Sequence, residues 1–110
     1  MEKAEKEKIL EELGRIPEEV YDDLVKELVK QLKENLVSLK QQMADPNFEE
    51  LAKLAHGMKG SSGNLRITKI FELAKGFEFE CKEGKDLEKL NTLLTSLGAE
   101  VSSLEKEFSN

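Results

Sequence analysis

The strongest constraint on this chain lies near its C-terminus, where apolar residues return every third or fourth position: Leu87, Leu90, Leu94, Leu97, Val101, Leu104 and Phe108. That spacing is the heptad seam of an α-helix. A strand alternates its faces every second residue and would leave part of such a set in water. The seam must be buried against something, and the chain carries matching stripes. Val20, Leu24, Leu28, Leu32, Leu36, Leu39 and Met43 form one, widened by Tyr21, Val25 and Val29. Ile70, Leu73, Ala74, Phe77 and Cys81 form another, and Phe48, Leu51, Leu54, Ala55, Met58, Ser62 and Leu65 a further one. The sequence therefore predicts an all-α protein. Short connections between four helices favour antiparallel neighbours, hence an up-down-up-down antiparallel four-helix bundle. A homodimeric coiled coil along the last seam is the lesser alternative.

Local signals place the boundaries. Pro17 suits a first helical position, and Glu18 and Glu19 suit a first turn, so a helix is expected over 17–44. Asp45-Pro46-Asn47 breaks it and starts a helix over 47–65. Either Asp45 is the N-cap with Pro46 following, or Asn47 and Glu50 form a capping box. This helix should end near Asn64, a residue type that tolerates a left-handed conformation. Thr68 is the expected cap of a helix over 68–83, Gly84 ends it, and Asp86 caps the last helix over 86–108. Residues 1–14 read as a short additional N-terminal helix across one end of the bundle, with Ile9, Leu10 and Leu13 as its apolar edge; residues 1–5 fit a frayed tail equally well. Residues 1–110 are expected to form a single domain.

Charge and composition narrow the function. A net charge of −6 without a basic cluster argues against nucleic acid and against an anionic membrane surface as partners. No run approaches the roughly 20 apolar residues of a membrane span, and MEKAEKEKIL lacks the apolar centre of a secretory signal. Cys81 is the only cysteine, so an intrachain disulfide and a Cys/His zinc set are both excluded, and a cytoplasmic setting is expected. Its place on a seam makes it a core residue.

The only histidine, His56, falls on the helix flank opposite its apolar stripe. Its surface neighbours there are Lys53, Lys59, Ala52, Gly60 and Gly63. Gly57, Gly60 and Gly63 occupy helical positions where alanine would add about 0.8–1.0 kcal/mol each. Removing side chains around an exposed imidazole gives another protein access to it, and Lys59, one turn away, supplies a counter-charge for an anion on the ring. Taken singly, these are an ordinary surface histidine, an ordinary lysine and a GSSG loop. G-M-K-G-S-S-G also lacks the spacing of a nucleotide-binding P-loop.

The run H-G-M-K-G-S-S-G-N-L, from His56 to Leu65, resembles the signature of histidine-containing phosphotransfer (HPt) domains. Leu54, Ala55 and the run I-F-E-L-A-K-G-F-E over residues 70–78 resemble the same family. Arg66 departs from it, since the family usually has Gly or Ala there. The resemblance implies a phosphocarrier of a two-component phosphorelay, with no kinase or hydrolase site of its own. His56 would carry the phosphoryl group on Nε2. Lys59, and secondarily Lys53, would stabilise it; Ala52, Gly60, Ser61, Gly63 and Asn64 would serve access and docking. The implied partners are response-regulator receiver domains, with a hybrid histidine kinase as a further partner, to a monomeric chain. No metal or cofactor is expected here, because the receiver brings the aspartate and Mg²⁺. The alternatives are a non-phosphorylated HPt-like adaptor that binds a receiver or kinase domain, and the phosphotransfer domain of a chemotaxis-type kinase. A hydrolase using His56 as base would need an orienting acid and a pocket, for which the sequence gives no pattern.

Overall fold

A computed structural model describes residues 1–109. These form five helices and no strand: α1 (Lys3–Glu12), α2 (Glu18–Gln42), α3 (Phe48–Asn64), α4 (Thr68–Lys82) and α5 (Leu87–Phe108). α3 packs on α4, α4 on α5, α5 on α2 and α2 on α3, so the four long helices close a ring around one core. The core draws on every stripe: Leu28, Leu32 and Leu39 from α2, Leu51 and Met58 from α3, Ile70 and Phe77 from α4, and Leu90 to Phe108 from α5.

Two ends of the expected stripes fail. Leu87 opens α5 at the rim of the bundle and is 43% exposed. Val20 and Leu24 are also exposed, and α2 buries Tyr21, Val25 and Val29 instead. One position on a helix is a rotation of about 100°, so the two sets compete for the same interior space. Tyr21 decides the outcome. Its hydroxyl donates to the Leu65 carbonyl at 2.6 Å, and its ring meets Phe108 edge-on at 6.2 Å. Burial, then the nearby Glu5 and Asp22 charges, push its phenol up to about 12.

The helix termini also differ in detail. α2 stops at Gln42, short of Ala44. Asn47 is the cap of α3, its side chain accepting from the Glu50 N–H at 3.1 Å, and Asp86 caps α5 by accepting from the Glu88 and Lys89 N–H groups. Thr68 does not cap α4: it is already the first helical residue, Ile67 holds the cap position, and the Thr68 hydroxyl turns back to the Arg66 carbonyl. The left-handed residue after α3 is Arg66, with φ 61°, rather than Asn64. Around it the Ile67 N–H donates to the Ser62 carbonyl and the Arg66 N–H to the Gly63 carbonyl, the Schellman closure usually built on glycine. Arg66 offsets the strain with its side chain. Its guanidinium donates to the Gly63 and Asn64 carbonyls and reaches Glu12 of α1 at 3.4 Å. α1 is held at this end by buried Ile9 and by Lys6, 2.7 Å from Asp22.

Candidate functional site

The site grows from the close approach of α4 to α3. The flank of α3 that meets α4 is built of small residues: Ala52, Ala55 and Ser62 are buried, and a Cβ on Gly63 would lie 3.0 Å from the Phe71 ring. The contacts descend one helix as they climb the other, Lys85 over Phe48, Glu78 beside His56 and Phe71 against Gly63. That register carries Glu78, next to the apolar seam of α4, under the edge of the imidazole.

Glu78 is the hub. One carboxylate oxygen lies 3.0 Å from His56 Nδ1 and 3.0 Å from Lys82 Nζ, and the other lies 2.7 Å from Lys59 Nζ. Its side chain is 7% exposed, whereas that of His56 is 68% exposed. The hydrogen bond from Lys59 is the main force holding the Glu78 carboxyl down to about 2; burial opposes it, and Lys82 and His56 add to it. An ionised carboxylate only accepts hydrogen bonds. The proton of a neutral His56 ring therefore sits on Nδ1, and the lone pair is on Nε2, the free nitrogen of an exposed ring.

The expected site residues do not all share one environment. Lys59 is at hand, but it is already paired with Glu78 rather than waiting free for an anion. Gly57 and Gly60 leave open space, since an added Cβ at either meets nothing within 4 Å. Lys53 is exposed and lies 3.6 Å from Glu50 on its own helix. Ala52 departs from its expected exposed position: it is 6% exposed because α4 folds over that flank. Gly63 also has an internal reason to be glycine, the Phe71 ring. Ser61 is half-buried and Asn64 exposed, and among the described residues neither side chain hydrogen-bonds to the cluster. Glu78 and Lys82 join the site although no sequence signal marks them as site residues: at i and i+4 on α4 they have only the spacing of an ordinary intrahelical pair. Cys81 is buried, and burial first of all pushes its thiol up to about 11.

Among the described residues no group of three or more His, Cys, Asp or Glu could hold a metal ion, and no helix is long and apolar enough to cross a membrane. What remains is an exposed nucleophilic nitrogen with its tautomer fixed from below and two lysines around the fixing carboxylate. Searches among curated proteins and among solved structures brought no significant match. A family model for the Hpt domain matches residues 23–107, from α2 through α5. A match over that much of the chain settles the family: the chain belongs to the Hpt domain family, whose members carry histidine phosphotransfer in two-component signalling.

Proposed function

We propose that this chain is a phosphorelay carrier in which His56 accepts a phosphoryl group from a receiver-domain aspartate and returns it to another. The observation that carries this reading is the Nδ1–Glu78 hydrogen bond beneath an otherwise exposed ring. In the accepting step the Nε2 lone pair forms an N–P bond as the P–O bond of the aspartyl phosphate breaks, and the aspartate leaves as a carboxylate. The ring becomes cationic with its proton still on Nδ1, facing the Glu78 carboxylate, which offsets that charge. The reverse step breaks N–P and restores the neutral ring. Positioning and charge neutralisation dominate such transfers. Lys59 and Lys82, held beside the ring by one shared carboxylate, are placed to re-aim towards phosphoryl oxygens. Lys53 stands farther out as a secondary cation.

Gly57 and Gly60 give the partner room, with Ser61 and Asn64 on the approach and Ala52 beneath it. The Mg²⁺ and the acceptor aspartate belong to the receiver, and a hybrid histidine kinase is a natural source of phosphate upstream. We read the whole chain as one cytoplasmic, monomeric domain, an up-down-up-down bundle with α1 laid across one end. The ring of helix contacts and the short connections support that topology.

The test is transfer from receiver domains charged with acetyl phosphate. Wild-type chain is expected to take up label and His56→Gln none. Receiver binding of equal strength to both, with no label on either, would favour the non-phosphorylated adaptor.

A further inference from the structure

α1 is 10 residues long, too short to persist as a helix alone in water, and no side chain caps its start. Its helicity and its seating on the bundle are therefore one event. Ile9 is its buried side chain, with Leu10 and Leu13 partly buried beside it. The polar contacts of α1 fall around the two side chains that close the end of α3. Tyr21 is the first, donating to the Leu65 carbonyl. Lys6 of α1 lies 2.7 Å from Asp22, the next residue, and 5.4 Å from the centre of the Phe108 ring that Tyr21 meets. Arg66 is the second, donating to the Gly63 and Asn64 carbonyls. Glu12 of α1 meets its guanidinium at 3.4 Å. The stretch they close is a weak piece of helix. It carries Gly57, Gly60 and Gly63, and only at Gly63 would a Cβ meet another element. α1 and Tyr21 both lie ahead of the residues 23–107 that match the Hpt model.

We infer that α1 is a strap on the helix that carries His56: seated, it fastens the C-terminal half of α3; unseated, it loosens that half ahead of the rest of the bundle. Unseating removes Lys6 from Asp22 and from the Phe108 ring, and Glu12 from Arg66. Tyr21 and Arg66 then hold the α3 carbonyls without support from behind. The opening is local, because α1 buries one apolar side chain whereas each helix of the bundle buries several. The seat is partly ionic, so rising salt weakens it. The consequence for transfer rests on the phosphotransfer reading. His56 stands at the head of the loosened stretch, one turn before Gly60. A partner that draws α1 away therefore slows transfer without touching the imidazole.

Backbone ¹⁵N relaxation of the full chain tests the strap. Ile9→Asp unseats α1 by placing a charge in its buried position, and Glu12→Gln frees Arg66 alone. In Ile9→Asp the order parameters of α1 and of Ser61 to Ile67 should fall from about 0.85 to about 0.6, with Phe77 and Leu97 unchanged. Glu12→Gln should lower Gly63 to Ile67 while α1 stays ordered, and it carries the test if Ile9→Asp does not fold. Transfer from a receiver domain charged with acetyl phosphate should be about threefold slower in Ile9→Asp. Wild-type order at Ser61 to Ile67 in both variants would overturn the strap. So would an equal fall at Phe77 and Leu97, which marks a general loosening. Loosened amides with wild-type transfer would overturn the link to His56. A wild-type chain that takes no label would strike the phosphotransfer reading, and the order parameters would still decide the strap.

Discussion

At Gly57 and Gly60, in the middle of α3, an added Cβ meets nothing within 4 Å; at Gly63, near its end, it would meet the Phe71 ring at 3.0 Å. The same residue type thus answers two different demands within two turns of helix. The middle gives up helix stability, about 0.8–1.0 kcal/mol at each glycine relative to alanine, and leaves space that only another molecule can fill. The end leaves nothing open. Phe71 packs on Gly63, Tyr21 satisfies the Leu65 carbonyl, and Arg66 ties the turn to α1. The polar contacts differ in kind as well. Those of the middle converge on one carboxylate and include exposed partners, whereas those at the end are mostly backbone carbonyls receiving fixed donors.

Acid should separate the two regions most strongly. Glu78 has a folded value of about 2 against an ordinary 4.5. A depressed carboxyl contributes stability that is complete above 4.5 and lost as pH falls towards 2. At about 1.4 kcal/mol per unit, roughly 3 kcal/mol is the upper bound for that span, reduced by the solvent around the exposed His56 and Lys82. The difference in unfolding free energy between wild type and Glu78→Gln should shrink across this window, with amides near Met58 losing exchange protection before those at Arg66 and Ile67. A pH-independent difference would break the contrast. Next in size, Gly63→Leu should cost about 2 kcal/mol of stability by overpacking against Phe71, read by denaturant melts, while its folded fraction still accepts phosphate. Gly60→Leu should do the reverse: stability rises by about 0.8 kcal/mol, while receiver transfer slows about tenfold, a barrier change of about 1.4 kcal/mol. Unchanged transfer in stopped-flow would mean that the space at Gly60 serves no partner. Tyr21→Phe is the smallest change, about 1 kcal/mol for an unsatisfied Leu65 carbonyl, with no effect on phosphate acceptance.

The two regions were also unequally legible from sequence. The helices and most of the core follow from apolar spacing, because periodicity reports which face is wet. His56 and its glycines stand out because they break the local rule, placing poor helix formers on an exposed flank. Glu78 stayed hidden: a carboxylate at i and a lysine at i+4 look like any surface pair, and nothing local says that α4 will press it under His56. The register of α3 on α4 says so. A hairpin turning at Arg66 brings position 56 level with roughly position 76, within a turn of Glu78. The choice of Tyr21 over Val20 likewise depends on partners distant in sequence, Leu65 and Phe108, and so did the pairing that explains Arg66.

In the proposed transfer, Glu78 holds the proton on Nδ1 and so directs phosphate to Nε2. This role is tested most directly by ¹⁵N and ³¹P NMR of the imidazole after phosphoramidate treatment, beside His56→Gln. The expected result is one acid-labile phosphoryl group, coupled to Nε2 of His56, with the Nδ1 proton still hydrogen-bonded, and no adduct in the variant. A phosphoryl group on Nδ1, or a folded wild-type chain that carries none, would contradict it.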